Sequence, residues 1–176
     1  ERGDTMIKVA VISDTHWSTW NLQDPLVRAL DSLLSEGEFD QIWHAGDVTG
    51  SEVLEKLDSF GPVVCVKGNC DRFLYRQLPH SVAEELEQVK VGMIHGWDLP
   101  LDHVSTVKSR FAPDIDIIIH GHTHQRRFQE LGGDHPTTII NPGSVLLPNN
   151  RRGQLGTVDL LKIRNRTPQV ELIQLG

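Results

Sequence analysis

Seven side chains of types that bind metal ions stand in polar clusters, each directly after a short apolar run of this 176-residue chain. They are two aspartates, one asparagine and four of the nine histidines: Asp14, His16, Asp47, Asn69, His95, His122 and His124. The apolar runs are typical of buried strands. Because ligands of open α/β sheets lie beyond the carboxyl ends of the strands, we expect these clusters to converge on one place.

The number and the types of these donors favour two metal ions over one. Seven candidates exceed the four ligands of a tetrahedral zinc site. Two divalent ions about 3.5–4 Å apart, sharing one carboxylate, are the arrangement of two-metal hydrolases. Mixed nitrogen and oxygen donors suit manganese, iron, nickel, cobalt or zinc better than magnesium or calcium. Among these metals, manganese is the one we expect first.

The apolar runs of the first 70 residues alternate with helical patterns in the order β-α-β-α-β. Strands are predicted at 7–12, 41–45 and 62–66. A first helix is expected to begin at Asp24-Pro25 and to end at Gly37, and Ser51 is the expected N-cap of a second. This order predicts a parallel sheet with helical crossovers.

In the second half of the chain, the predicted strands are joined mostly by turns and not by helices. Strands are predicted at 82–87, 89–94, 115–119, 128–131, 137–140, 155–160 and 169–173, with a helix around 101–111. Gly- and Asn-rich turns after Arg126 indicate a meander of mixed or antiparallel strands. We therefore expect one α/β domain over residues 6–176, built as two packed sheets with helices outside. Residues 1–5 are interpreted as a polar extension or a remnant of cloning.

Charge and composition argue against several classes of function. Lys and Arg total 17 against 24 Asp and Glu, so the net charge is −7, and no basic run typical of duplex nucleic-acid binding occurs. No apolar run approaches the roughly 20 residues of a membrane span. Two cysteines, Cys65 and Cys70, make no disulfide framework, which favours a reducing cytoplasm.

In chain order, the five clusters resemble the five motifs of the calcineurin-like metallophosphoesterases. The matching motifs are Asp14-x-His16, Gly46-Asp47, Gly68-Asn69, His95-Gly96 and Gly121-His122-Thr123-His124. Two segments resemble the small prokaryotic phosphodiesterase branch of this family. They are Gly68-Asn69-Cys70-Asp71 and Asn141-Pro142-Gly143-Ser144. The resemblance covers roughly residues 6–160 and implies two mixed β-sheets packed as a sandwich and flanked by helices, in four αββα layers.

The resemblance also implies a role for each matched residue. Asp14, His16 and His124 would bind the first metal, Asn69, His95 and His122 the second, and Asp47 would bridge both. A hydroxide bridging the two metals would attack phosphorus in line with the leaving oxygen. The implied activity is a metal-dependent phosphodiesterase or phosphatase for a small-molecule phosphoester, with Asp47, Asn69 and His95 as the catalytic residues.

One position departs from many members of the family. Cys70 stands where many relatives carry a histidine that is thought to protonate the leaving group, and an ordinary thiol with a pKa near 8.5 suits that role poorly. Asp71 or a metal-bound water is the alternative donor, so we expect a preference for good leaving groups. Two roles are compatible with the positions of His44 and His120. Each could form a hydrogen bond that supports a metal ligand, or each could be a buried histidine that only packs in the core.

A non-catalytic function is the main alternative. The retromer scaffold subunit is similar in fold, but its motifs are altered at the bridging and asparagine positions, whereas Asp47 and Asn69 have the standard form here. A protein serine/threonine phosphatase is disfavoured by the short chain. Small members of the family often associate, so a homodimer is expected. The motifs contact phosphate and metal, and they do not name the physiological substrate.

Overall fold

The computed structural model describes residues 6–72, 77–100, 104–146 and 156–175. The strands are β1 Met6–Ile12, β2 Gln41–His44, β3 Val63–Cys65, β4 Ser81–Leu86, β5 Val89–Ile94, β6 Ile117–His120, β7 Arg127–Leu131, β8 Thr137–Asn141, β9 Thr157–Arg164 and β10 Thr167–Gln174. The helices are α1 Pro25–Glu36, α2 Ser51–Asp58 and α3 Val104–Lys108. The predicted α/β class is confirmed.

The strands form two mixed sheets of five strands each. In the first sheet the order is β10-β9-β1-β2-β3, with β1, β2 and β3 parallel. The hairpin of β9 and β10 is added through β9, which pairs antiparallel with β1. In the second sheet the order is β4-β5-β6-β8-β7, with β5, β6 and β8 parallel and an antiparallel strand at each edge. Parallel pairing brings the carboxyl ends of the central strands to one edge of each sheet.

Three apolar layers hold these elements in the expected αββα order. Successive side chains of a strand point to opposite faces, so β1 serves two layers at once. Val9 and Val11 face the second sheet in the central layer, whereas Ala10 and Ile12 pack under α1 and α2. The third layer lies under α3, where Val107 packs on the outer face of the second sheet. Because the central strands β1, β2, β5 and β6 are largely buried on both faces, the strands that carry most of the clusters are held firmly.

The two long helices begin differently. Helix α1 begins at Asp24-Pro25 as predicted, and Asp24 is its N-cap, because its Oδ1 accepts a hydrogen bond of 2.8 Å from the backbone N–H of Leu26. The prediction for α2 is wrong by one residue: Gly50 is the N-cap, and Ser51 is the first helical residue. The reason is a close approach, since a Cβ at Gly50 would overlap the carbonyl oxygen of Ser18.

The predicted meander is also wrong. The strands β7 and β8 pair in the second sheet, but β9 and β10 pair in the first, so the chain changes sheets after Asn141. The predicted helix around 101–111 is shorter, Val104–Lys108, and it gives way to turns before Pro113, which disfavours helix at the residue before it. Residues 101–103 of that prediction lie outside the described residues.

Residues 1–5 lie outside the described residues, and the single domain over 6–176, the homodimer and the cytoplasmic location stay predictions. Within the described part of the chain, no helix combines the length and apolar character needed to span a membrane.

The two helix starts give a test of these assignments. Asp24→Ala should lower the free energy of unfolding by about 1 kcal/mol, because the N–H of Leu26 loses its partner. Ser51→Ala should change it by less than about 0.5 kcal/mol, since Ser51 is exposed and does not cap α2. Urea unfolding followed by circular dichroism measures both values. Equal losses would contradict Gly50 as the N-cap of α2.

Candidate metal centre

The carboxyl ends of five strands meet at one edge of the sandwich and carry the candidate ligands. In order, the residues that follow β1, β2, β3, β5 and β6 are Asp14 and His16, Asp47, Asn69, His95, and His122 and His124. In the first sheet Ile12 pairs with His44, and in the second Ile94 pairs with His120, so neighbouring strands end at the same level. The two sheets therefore supply ligands from opposite sides of one centre.

Three imidazoles surround two buried carboxylates at this centre. Nε2 of His16 lies 3.7 Å from Oδ1 of Asp14 and 3.7 Å from Oδ2 of Asp47. Nε2 of His95 lies 3.4 Å from Oδ2 of Asp47 and 3.9 Å from Oδ1 of Asp14. Nε2 of His124 lies 3.2 Å from Oδ1 of Asp14. The structure thus brings these five predicted residues into one cluster.

The two other candidates border the cluster. The ring of His122 packs edge-on against His95, with centroids 5.3 Å apart, and its backbone N–H donates to Oδ2 of Asp14 over 3.1 Å. Asn69 is exposed, and its Nδ2 donates to Sγ of Cys70 over 3.3 Å. Asn69 therefore lies on the solvent side, whereas Asp14 is completely buried.

Two unsatisfied atoms test whether the cluster fits a metal ion. Oδ1 of Asp14 and Nε2 of His95 are buried, and among the described residues neither has a hydrogen-bond partner. Nδ1 of His95 lies 2.6 Å from the carbonyl oxygen of Ala45 and donates to it, so Nε2 faces the carboxylates and carries a lone pair in the neutral ring. Buried polar atoms without partners are costly. A divalent cation would satisfy both atoms, so the donor set fits.

The ligand atoms also approach one another closely enough to share ions. Three overlapping groups have all their ligand atoms within 4.8 Å of one another: Asp14 with His16 and His124, Asp14 with Asp47 and His95, and His16 with Asp47 and Cys70. The first group is the set implied for the first metal. Asp14 and Asp47 each belong to two groups, so the two carboxylates lie together at the middle of the site.

The charges of the cluster favour a cation. Burial opposes ionisation of Asp14, but the imidazoles of His124 and His16 outweigh it and hold the pKa of this carboxyl below its usual range. Burial likewise opposes ionisation of Asp47, and His95 outweighs it and lowers the pKa of that carboxyl. The two carboxylates in turn raise the pKa of His95 against the effect of burial. The cluster therefore attracts positive charge at neutral pH.

The backbone turns sharply at most of the strand ends that carry the candidate ligands. Five of the seven candidate ligands have positive φ: Asp14 at 53°, His16 at 49°, Asp47 at 57°, His122 at 69° and His124 at 55°. This left-handed conformation costs residues other than glycine about 1–2 kcal/mol. Such strain in non-glycine residues is concentrated at functional sites. The turns direct the ligand side chains across the edge of the sandwich.

Asp71, considered above as a proton donor, lies behind the ligands. Its side chain is completely buried. Oδ2 accepts hydrogen bonds from the backbone N–H groups of Asp47, over 2.9 Å, and Gly68, over 2.6 Å, and Oδ1 accepts from Thr49 over 2.7 Å. Since both oxygens are engaged, this geometry favours a structural role over proton donation.

His44 and His120 are buried behind the ligands as well. Nδ1 of His44 accepts the backbone N–H of Gly46 over 3.1 Å, so its Nε2 carries the proton and donates to Oγ1 of Thr15 over 3.1 Å. Nδ2 of Asn141 lies 3.3 Å from Nδ1 of His120. Burial lowers the pKa of both rings to about 4, which keeps them neutral. His44 thereby joins the loops that follow β1 and β2.

Three supporting side chains carry no role in the sequence prediction. Oγ of Ser13 donates to Oδ2 of Asp14 over 2.5 Å, and Oγ of Ser144 donates to the Asp14 carbonyl over 2.8 Å. Nδ2 of Asn141 donates to Oγ1 of Thr123, between the two ligands of that loop, over 3.0 Å. The Asn-Pro-Gly-Ser motif is the sequence signal that could have found Asn141 and Ser144, whereas Ser13 has only its place beside Asp14.

Cys70 and Arg126 lie after ligand-bearing strands, but neither is well suited to act on a substrate. Cys70 is exposed beside the cluster, and partial burial together with the carboxylates of Asp47 and Asp71 raises the pKa of its thiol to about 11. Nε of Arg126 forms an ion pair of 2.9 Å with the buried carboxylate of Asp159. The thiol is therefore a weak acid, and the guanidinium is engaged within the fold.

The chain matches a family model and several known proteins. The model of the calcineurin-like phosphoesterase superfamily domain matches residues 7–166. A probable metallophosphoesterase of Methanothermobacter thermautotrophicus is 33% identical over 96% of this chain and 92% of that protein. A phosphodiesterase of Methanocaldococcus jannaschii is 23% identical over 78% of this chain and 83% of that protein. The structure of Vps29 from Entamoeba histolytica, solved in complex with Zn²⁺, is similar with a TM-score of 0.68 at 23% identity. The match covers 97% of this chain and 100% of the Vps29 chain.

The buried ring of His44 predicts a pH dependence of stability. Its pKa is about 4 in the folded chain and near 6.5 in an unfolded one, so between these values only the unfolded state takes up the proton. As the pH is lowered through this window, the free energy of unfolding should therefore decrease, by about 3 kcal/mol at most from this group. In chelator, the loss caused by His44→Asn should shrink as the pH is lowered from about 6.5 to about 4. A loss that is independent of pH would contradict the neutral ring.

Proposed function

Because the chain belongs to the calcineurin-like phosphoesterase superfamily, we propose that it is a divalent-metal-dependent phosphodiesterase that hydrolyses a small-molecule phosphoester. We base this on one observation, the pair of buried carboxylates Asp14 and Asp47 surrounded by imidazoles at the edge of the sandwich. The names of the relatives, metallophosphoesterase and phosphodiesterase, support the same activity.

The proposed ligands divide into two sets that share one carboxylate. Asp14, His16 and His124 would hold one ion, Asn69, His95 and His122 the other, and Asp47 would contact both. The close approach of the ligand atoms of Asp14, His16 and His124 supports the first set, and that of Asp47 and His95 supports part of the second. Manganese is the ion we propose, and zinc is the first alternative because both suit nitrogen and oxygen donors together.

The chain's own residues prepare the site for the reaction. Two divalent ions, when bound, would supply a nucleophile at neutral pH by lowering the pKa of water, and they would neutralise charge on the phosphoryl oxygens. Ala45 fixes the ring of His95 through Nδ1. His44 ties Thr15, which lies between two ligands, to Gly46, which precedes a third. Because misplacement by about 1 Å can cost about 100-fold in rate, these contacts support catalysis by holding the ligands in place.

Neither Asp71 nor Cys70 is suited to protonate the leaving group. The carboxylate of Asp71 is occupied by backbone N–H groups, and the thiol of Cys70 has a pKa of about 11. A general acid works best when its pKa lies near the operating pH, which the thiol of Cys70 does not meet. Asp71 is unsuited for a different reason, because both of its oxygens are engaged by backbone N–H groups. We infer that the preferred substrates have leaving groups that depart without protonation.

Metal content and turnover test the proposed function together. Protein stripped with chelator and reconstituted with Mn²⁺ should bind about two ions per chain. It should hydrolyse bis(p-nitrophenyl) phosphate, a diester with good leaving groups, and chelator should abolish the activity. Metal analysis and initial rates on a panel of phosphoesters provide the readout. Less than one ion per chain contradicts the two-metal site, and full loading without turnover of any phosphoester favours the scaffold.

Two substitutions separate ligation from proton donation. Asp47→Asn should lower kcat by more than about 100-fold. This loss is larger than the roughly 10- to 100-fold that is usual when a residue that only supports a metal ligand is replaced. Cys70→Ala should retain kcat within about 10-fold, because a thiol of such high pKa contributes little acid catalysis. Asp40→Asn, at the opposite end of β2, is the matched control and should leave kcat unchanged. Equal losses for the Asp47 and Cys70 variants would show that Cys70 takes part in the reaction.

A further inference from the structure

Asp71 is a fully buried carboxylate that the proposed function does not use as a ligand. Its three hydrogen-bond donors belong to the loops that carry candidate ligands: Asp47 and Thr49 lie after β2, and Gly68 directly precedes Asn69 after β3. We propose that Asp71 is a positioning residue that locks these two loops together and thereby sets the metal affinity of Asp47.

The backbone around Asp47 is shaped to receive an anion. Asp47 and Thr49 both have positive φ, of 57° and 67°, and their N–H groups converge on the two oxygens of one carboxylate. Alternating left-handed and right-handed turns form concave nests of N–H groups that bind anions. Hydrogen bonds to an ionised acceptor are roughly twice as strong as neutral ones. Asp71 therefore stabilises a strained turn that would otherwise bury unpaired N–H groups.

The two aspartates tie the loops reciprocally. The side chain of Asp71 accepts from the backbone of the Asp47 loop, and Oδ1 of Asp47 accepts the N–H of Cys70, in the Asp71 loop, over 2.7 Å. Gly68 allows this approach, because a Cβ there would overlap the carboxylate of Asp47.

This reciprocal pair determines which oxygen of Asp47 faces the metal site. Since Oδ1 is held by Cys70, Oδ2 is the oxygen directed at the imidazoles, 3.7 Å from Nε2 of His16 and 3.4 Å from that of His95. Removing the carboxylate of Asp71 would release the turn and allow Asp47 to rotate. The inference rests on the proposed ligand role of Asp47, but it concerns metal binding and not the chemical step.

Asp71→Asn is the sharpest variant. An amide presents only one acceptor oxygen, so it keeps the bonds of one carboxylate oxygen at most and sets its NH₂ group against a backbone N–H. We expect the affinity for Mn²⁺, measured by calorimetric titration, to fall by about 10- to 100-fold. At subsaturating metal, turnover should fall alike for good and poor leaving groups, and excess Mn²⁺ should restore most of it.

Asp116→Asn is the matched control. Oδ2 of Asp116 also accepts a backbone N–H, that of Lys90, over 2.7 Å, but it does so at the start of β6, at the opposite end of the second sheet. This variant should bind Mn²⁺ with wild-type affinity.

Two outcomes distinguish this proposal from others. If Asp71→Asn binds Mn²⁺ like the wild type and loses turnover only with poor leaving groups, Asp71 is a proton donor and the positioning role is wrong. If the wild type binds Mn²⁺ without hydrolysing any phosphoester, the proposed function fails, whereas the titration still tests Asp71.

A measurement on the wild type keeps the proposal testable if the variant does not fold. The amide protons of Asp47, Thr49 and Gly68 should resonate downfield and exchange slowly with solvent in metal-free protein, because each is bonded to a buried carboxylate. Exchange at the rate of an exposed loop would overturn the proposal.

Discussion

Two ionised carboxylates lie buried with their oxygens within 4.8 Å of each other, and the surrounding structure offsets their charge. Burying an ion costs several kcal/mol even after the protein relaxes, and two like charges add repulsion. Imidazoles from both sheets, the hydroxyl of Ser13 and the N–H groups of His122 and Cys70 compensate part of this cost. The compensation is incomplete, since Oδ1 of Asp14 has no hydrogen-bond partner among the described residues. A bound cation would complete it.

The centre is also a joint between the two sheets. The aspartates follow strands of the first sheet, whereas His95, His122 and His124 follow strands of the second. Their separation is therefore set by the apolar layer between the sheets, which includes Trp43 and Met93. The same sandwich occurs in Vps29, so the fold alone does not decide the activity, and the side chains at this edge must carry it.

Local signals in the sequence predict much of this arrangement. Apolar runs followed by polar clusters predict most of the strands and the residues that gather at their ends, and the Asp-Pro pair predicts the start of α1. Contacts between distant segments leave no such signal. Gly50 caps α2 because the carbonyl oxygen of Ser18 approaches it closely. The side chain of Asp71 points inward because it accepts hydrogen bonds from three backbone N–H groups of two loops. The change of sheet after Asn141 likewise depends on which strands need a partner, which no local pattern encodes.

The left-handed turns at the ligands have a consequence for protein engineering. Asp14, His16, Asp47, His122 and His124 are among the residues where replacement by glycine would relieve backbone strain. A selection for heat resistance alone would therefore favour substitutions at the positions that hold the metal site, since stability and activity compete there. A stabilised version of this enzyme candidate is better sought in the helices and the apolar layers, with the strand ends left unchanged.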